Sequence, residues 1–581
     1  MLFTESSKAR EPCPETNQVS SIPSIENQET GENDKAESFY EADAGDGTKR
    51  EDMYLLGKKL ILCMVSLVAC MFLFALDQLI VTTILNTVGT KFNALNQVGW
   101  LSSGFLISMA VLVAVWGKIS IIFGRKVTML VAILFFEAGS LMCGLANSMD
   151  VLIGGRVLAG IGGGGIQTMT FIIITEVLPI DKRPVGMALL GTILGVASVL
   201  GPLIGGAFTS GVSWRWCFFI NLPIGAVASL VFFFSFTPPK VSFSIRKKLK
   251  IIDYTGIFLM TSSLVLVLLA LTFGSDGNFK WDSAAVICCF VLGGLLVIAF
   301  CVWNFKYSKN PLIPPEVVKT LQVTAAALTM FGVFSYYIAA TVYLAIYFQV
   351  IHKASAWRSG VDMLPLIISV IVTSIVGGVF VKKTRLVKPI VVLGTALGFV
   401  GSGLLCLLDV DSSTPMQIGL LIPVGVGIGI NMQAALMAGQ IVAPKIPGGV
   451  ILATTYLNFC RSVGGAISGI LANVMYTSTI LKNLPRNLMK QSPEVIQELS
   501  KYDLKHLIQK STPGLSAASQ HFLNTEVMSG IRAAFYLNLG YAAIGFVFSL
   551  LVTNQRLPVA TPQVRDSDNV EELNVVEKRE E

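Results

Sequence analysis

The sequence predicts an all-α integral membrane protein with fourteen transmembrane helices, two six-helix bundles joined by two linker helices, and three observations lead there. Of 581 residues only 14% are charged and 53% are hydrophobic, against roughly 25% charge in an average soluble domain. Apolar runs near 20 residues, long enough to cross a hydrocarbon core of about 30 Å, recur fourteen times along the chain. Lysine and arginine crowd into every second loop, the asymmetry that identifies the cytosolic side.

Residues 1–57 hold Glu, Asp, Ser, Asn and Gly with few large apolar side chains, so they cannot bury a core and read as a disordered cytosolic tail. No apolar stretch precedes Leu60, and the first span itself is expected to direct insertion. Six spans follow over 58–238: Leu60–Thr83, Val98–Trp116, Val127–Ala146, Val151–Thr175, Val185–Phe208 and Cys217–Phe236. Two more, Tyr254–Phe273 and Ala284–Trp303, sit in a linker over 239–320. The second bundle, 321–553, holds Val323–Phe348, Val361–Val381, Pro389–Leu408, Ile418–Val442, Val450–Tyr476 and Ile531–Val552. A long outer loop, 477–530, carries a short amphipathic segment at Glu494–Lys510, and 554–581 is a charged cytosolic tail.

With both tails inside, the short inner loops carry Lys118, Arg125, Lys126, Lys182, Arg183, Lys240, Arg246, Lys382, Lys383, Arg385 and others, while the short outer loops carry Lys91, Arg215, Lys280, Lys353 and Arg358. An inner excess of more than threefold supports an even number of spans and accounts for the net charge of +7 without nucleic acid. The cysteines lie mostly inside apolar runs and show no ligand spacing. His352, His506 and His521 all fall in outer loops, so no metal and no cofactor is expected. Gly160-Ile161-Gly162-Gly163-Gly164-Gly165 matches a dinucleotide fingerprint by spacing, but no strand precedes it and no acid follows at the required distance. It reads as a helix-packing run. The chain also lacks a GxxxxGK[ST] phosphate loop.

Ionisable groups inside the spans are the candidates for mechanism. Asp77 lies about 17 residues into a span that enters from the cytosol, roughly 25 Å up. A carboxylate there costs roughly 3 kcal/mol or more unless paired or protonated. Arg156 sits about five residues below the outer end of the fourth span, at similar depth. The two are expected to meet, and proton uptake by Asp77 would weaken the pair and bias the bundle toward one facing. A static pair that only fixes packing is the other reading. Glu137, near the middle of the third span, is a second titrating group or a protonated carboxyl bonded to backbone. Arg461 in the thirteenth span and Asn431, Gln433 and Gln440 in the twelfth line a cavity or act as polar glue between helices.

The fifth span carries Ala197, Gly201 and Gly205 at every fourth position, a close-packing face, and Pro202, which removes one backbone donor and should bend the helix. That combination suggests a hinge. Basic inner hinges recur at Gly117–Lys126 and Gly378–Lys388, and glycine runs recur at Gly201–Gly206 and Arg461–Gly469, the mark of two related halves.

Gly201-Pro202-Leu203-Ile204-Gly205-Gly206 resembles the antiporter signature of the major facilitator superfamily's fifth helix, and Trp214-Arg215-Trp216 through Asn221-Leu222-Pro223-Ile224-Gly225 resembles the segment opening its sixth. Together they resemble the fungal fourteen-span drug/proton antiporter family, which includes vacuolar basic-amino-acid and toxin-efflux members. The resemblance implies the major facilitator fold and an inserted linker pair. Leu76-Asp77 with Ile80-Val81, and Arg156 with Gly160 and Gly162, resemble the family's first- and fourth-span signatures, whose arginine is implicated in proton transfer. The inner gate loop matches at Gly117, Gly124, Arg125 and Lys126 and departs at Ile121, where the family carries an acid, which puts its charge relay in doubt.

These readings lead to a monomeric secondary transporter that exchanges protons for an amphipathic drug or toxin across the plasma membrane. The alternative is a vacuolar-membrane antiporter for basic amino acids, and a reading of another class is a nutrient receptor that transports nothing and signals through its tail. An acidic cavity would favour cationic amino acids. One rich in Phe334, Tyr336, Tyr337, Tyr343 and Tyr347 would favour drugs. No enzymatic constellation can be assembled.

Overall fold

The computed structural model describes residues 53–94, 97–179, 182–238, 249–275, 279–500 and 515–557. Fourteen of its helices are long and apolar enough to cross a membrane. They are α1 (Gly57–Lys91), α2 (Gly99–Phe123), α3 (Arg125–Leu145), α4 (Met149–Val177), α5 (Arg183–Gly211), α6 (Trp216–Ser235), α7 (Tyr254–Ser275), α8 (Ala284–Tyr307), α9 (Leu321–Ile351), α10 (Leu364–Thr384), α11 (Lys388–Leu405), α12 (Thr414–Ile441), α13 (Gly449–Leu488) and α14 (Ala517–Ser549). Helix is the only regular structure among the described residues, as lipid requires of a chain that must satisfy its own backbone.

Three boundaries differ from the sequence reading. The first span runs on to Lys91, giving a 35-residue helix. The stretch read as the outer loop 477–530 is partly helical: α13 continues to Leu488 and α14 already begins at Ala517. Hydropathy ends where lipid ends, but these extensions bury Ile480, Leu484, Phe522 and Leu523 against protein, so packing continues the helices beyond the membrane. The amphipathic segment is a helix over Pro493–Leu499, with Val495 and Leu499 buried; its remainder lies outside the described residues, as do most of both tails and Lys240 to Lys248.

The two bundles repeat one packing scheme built on glycine. In the first, α4 is wedged between α2 and α3: a Cβ on Gly164 would lie 2.8 Å from the Met109 carbonyl of α2, and one on Gly162 would lie 2.7 Å from Phe136 Cα of α3. In the second, α12 is wedged between α10 and α11, with Gly425 against Ser369 and Gly427 against Gly394. The glycine run that mimics a nucleotide loop is therefore the surface on which α4 crosses two neighbours. Gly162→Val should prevent assembly of the first bundle, because the obstacle is backbone and overpacking costs about 1–3 kcal/mol even where side chains can give way. Loss of monodisperse protein in detergent would show this, and wild-type yield and melting temperature would refute it.

The chain reverses between α2 and α3 on one residue, Gly124, whose φ of +91° only glycine adopts without strain. The bundles meet along two related seams. Gly117 of α2 seats against Thr455 of α13, and Gly378 of α10 seats against Ala188 and Pro184 of α5. Of the linker helices, α7 covers the first seam, placing Leu268 among Ile107 and Val111 of α2 and Ala466 and Ile470 of α13. Its start is capped by Asp253, which accepts from Gly256 N at 2.8 Å, Trp303 Nε1 at 3.0 Å and Ser308 Oγ at 2.6 Å. α8 packs Gly293 on Val267 of α7 and leaves Ile287, Leu292, Leu295 and Ile298 facing outward.

Candidate functional site

Asp77 on α1 and Arg156 on α4 are both withdrawn from solvent, and the structure brings them together, Arg156 Nη1 to Asp77 Oδ2 at 2.5 Å. The guanidinium is held from three sides. Its Nε donates to the Leu101 carbonyl at 3.0 Å, and its plane lies over the Phe105 ring at 4.3 Å. The other carboxylate oxygen accepts from Asn221 Nδ2 at 3.1 Å, and the same amide donates to Ser140 Oγ at 3.1 Å. Four helices, α1, α3, α4 and α6, thus converge on one carboxylate. Asn221 reaches it because α6 starts from a fixed point: Arg215 donates to the carbonyls of Gly144 at 3.1 Å and Ala146 at 2.8 Å, satisfying acceptors left open at the end of α3. Sequence reasoning quoted Asn221 only as part of a motif and did not single out Ser140; the available signal was an amide at the mouth of an apolar run.

Glu137 is one helical turn before Ser140. Both its carboxylate oxygens are buried without a hydrogen-bond partner among the described residues, and it lies over Gly225 of α6 so closely that a Cβ there would overlap it. Bonding to neighbouring backbone, one of the two readings for this residue, is not seen.

Between the bundles lies a cavity of about 80 Å³, walled by Phe74 and Gln78 of α1, Phe105 of α2, Arg156 of α4, Phe334 and Tyr337 of α9 and Arg461 of α13. It is smaller than the roughly 300 Å³ that a drug-sized ligand needs. Arg461 is buried, and among the described residues neither Nη1 nor Nη2 has a hydrogen-bond partner; its guanidinium lies 4.3 Å from the Phe334 ring and 5.2 Å from Phe171. The other candidates from the second bundle lie elsewhere. Asn431 fills the space beside Gly394 of α11 and donates to the Gly427 carbonyl at 3.1 Å, while Gln433 approaches Gly191 of α5 at the seam. Gln440 donates to Thr454 Oγ1 at 2.9 Å, tying α12 to α13. Of the five aromatics singled out along α9, Phe334 and Tyr337 line the cavity. Tyr336 faces Gly398, Tyr343 packs on Tyr476 at 5.5 Å, and Tyr347 donates to the Asp409 carbonyl at 2.9 Å.

The stretch read as an inner gate loop, Gly117 to Lys126, holds a buried ion pair. Arg125 grips Glu176, the second-last residue of α4, through Nη2 at 2.8 Å and Nε at 2.9 Å, both side chains buried. Ile121, where the resembled family carries an acid, packs beside Leu452 and Ala453 of α13. Glu176 went unnoticed because a carboxylate at the end of an apolar run reads as an ordinary boundary residue. Lys118 Nζ donates to the Pro311 carbonyl of the linker at 3.2 Å, and Lys126 lies 4.3 Å from the Phe233 ring.

In the hinge motif, Gly201 and Gly205 admit α1 closely: a Cβ would lie 2.9 Å from Leu79 Cβ at the first and 2.9 Å from Ile80 Cγ1 at the second. Pro202 lies within one continuous α5, and Gly206 accepts from Thr209 Oγ1 at 3.1 Å. The earlier part of the same helix faces the other bundle, where Ser374 Oγ of α10 donates to the Ala188 carbonyl at 3.3 Å. α5 therefore packs on both halves.

Two pseudo-symmetric bundles closing over a central cavity, with an ion-paired carboxylate in one of them, define a secondary transporter. The sequence profile of the Major Facilitator Superfamily matches residues 67–469, and the chain belongs to that superfamily as a multi-pass membrane transporter. It is 32% identical over 560 residues to vacuolar basic amino acid transporter 5 of Saccharomyces cerevisiae, covering 89% of this chain and 94% of that one. It is also 32% identical over 549 residues to azole resistance protein 1 of the same yeast, covering 85% and 88%. Among solved structures, a bacterial homolog of the human lysosomal transporter Spinster, inward-facing and unoccupied, shares the fold with a TM-score of 0.51 at 13% identity, covering 87% of this chain and all of that one.

Proposed function

We propose that this transporter is a proton-coupled antiporter that exports amphipathic organic compounds at the plasma membrane, with its basic face and both termini cytosolic. One observation carries the reading: Arg156 belongs both to the ion pair with Asp77 and to the wall of the central cavity. A proton on Asp77 removes the charge that holds Arg156, so the guanidinium is left free at the cavity surface, and occupancy of the cavity and protonation of the carboxylate bias the same side chain. Glu137, buried beside this network, is the second proton-carrying candidate. Gly201, Pro202, Gly205 and Gly206 would let α5 flex between its two partners, and Gly117, Gly124, Arg125 and Lys126 would close the cytosolic side.

The substrate class follows from what the cavity offers. Its surface is largely apolar and aromatic, its one carboxylate neighbour is already neutralised by Arg156, and Arg461 adds an uncompensated positive charge. Such a site repels cations and suits neutral, ring-bearing molecules. The similarity to a basic amino acid transporter supports the second reading, vacuolar exchange of lysine or arginine for protons; the charge of Arg461 weighs against it.

Purified protein in acid-loaded vesicles tests both. Antiport predicts that a labelled azole accumulates in the acidic lumen, that lysine does not, and that a proton ionophore abolishes the accumulation. Lysine accumulation without azole would establish the second reading in place of the first. Failure of either compound to move under any gradient would leave the receptor reading.

A further inference from the structure

A groove of about 680 Å³ runs up from the basic face between α1 and α5, with Lys382 of α10 at its rim. Its walls are apolar: Leu60, Met64 and Val68 along α1 and Val185 and Leu189 along α5. Ile61 and Val65 on the same stretch line it too and are 64% and 56% exposed. At the basic rim the lining ends in two exposed lysines, Lys182 at the head of α5 and Lys382 at the foot of α10. Residues 60 to 68 extend about 12 Å along the helix axis, the reach of much of an acyl chain. An apolar slot of that length, open to lipid and crowned by two cations at headgroup depth, matches a molecule with a hydrocarbon tail and an anionic head.

We propose that this groove is a binding site for an acidic phospholipid, its chain along α1 and α5 and its phosphate-bearing head between Lys182 and Lys382. The two lysines belong to opposite bundles. A headgroup that engages both ties the bundles together at the basic face, where Gly378 already abuts Pro184 and Ala188, so the lipid stabilises the state closed on that side. Neither the proton pathway nor the central cavity is involved.

The full chain in nanodiscs of phosphatidylcholine, with and without phosphatidylserine, tests the site by native mass spectrometry and thermal denaturation. Wild-type protein should retain phosphatidylserine in preference to phosphatidylcholine and melt at a higher temperature when it is present. The double variant Lys182→Gln/Lys382→Gln should lose that preference by about thirtyfold, the factor two lysines contribute toward an anionic surface. Lys306→Gln/Lys309→Gln, which removes two exposed cations elsewhere on the same face, should keep it. Equal retention of both lipids by wild type, an unchanged preference in the first variant, or an equal loss in the second would overturn the site. Displacement of the bound lipid by a transported azole would also overturn it, identifying the groove as a substrate portal. Inorganic phosphate, which has the charge without the chain, should not compete.

Discussion

Asp77→Asn should lower gradient-driven accumulation of substrate by about 100-fold, the factor equivalent to losing roughly 3 kcal/mol of bias between states, while substrate exchange without a gradient persists. The amide matches the carboxylate in shape. Its one oxygen can accept from Arg156, and its new amide N–H2 can donate to Asn221 once that side chain turns its unpartnered Oδ1 inward, so the protein should fold. What it loses is the ability to take up a proton and thereby release Arg156. Flux into acid-loaded vesicles, compared with exchange of labelled for unlabelled substrate at equal pH, separates the two effects. Full gradient-driven flux in Asp77→Asn would remove this residue from the proton pathway. If Glu137→Gln alone then abolished the drive, the coupling carboxyl would be the unpartnered one over Gly225. Loss of both fluxes together with the fold would instead mark the pair as structural.

The second large effect is expected at Arg125. Replacing it by alanine leaves Glu176 buried without its bidentate partner, and breaking a buried pair from one side costs about 3–5 kcal/mol. Removing both charges at once with apolar side chains of similar size, as in Arg125→Met with Glu176→Leu, should recover most of that loss, since neither ion then remains stranded. A double-mutant cycle on denaturation midpoints in detergent measures the coupling. Strict additivity of the two single changes would show that the contact contributes nothing as a pair. The same cycle read in transport has a second use: the stable double variant should close its basic face poorly and transport slowly, because the tie between the start of α3 and the end of α4 is gone.

Much of this protein was legible before any coordinate. Spans could be counted because a bilayer imposes a length and an apolar composition on each helix independently of its neighbours. The glycine run at 160–165 was readable as a packing surface for the same reason, since no strand or acid accompanies it. Asp77 and Arg156 were paired on depth alone: two opposite charges at one height in a medium that penalises either one singly. Where that reasoning stopped, it did so for a physical cause. Asn221 and Ser140 are uncharged, so no penalty announces them. Glu176 stands at a boundary where acids are common. Tyr336, Tyr337, Tyr343 and Tyr347 are equally apolar in sequence, yet only Tyr337 among these tyrosines faces the cavity, because rotation about the helix axis is set by neighbouring helices and not by composition.

The sequence by itself determined the membrane class, the number of helices, the division into two related halves with an inserted pair, and the residues too costly to bury without purpose. Each depends only on local composition measured against the bilayer. Tertiary structure alone decided that Arg156 serves ion pair and cavity at once, that Arg461 has no counter-ion among the described residues, that Arg125 finds its acid on α4, and that α5 touches both bundles. Those outcomes depend on which faces of distant helices meet, and the energy that selects the facing is shared among many close glycine and side-chain contacts, none of which has a signature along the chain.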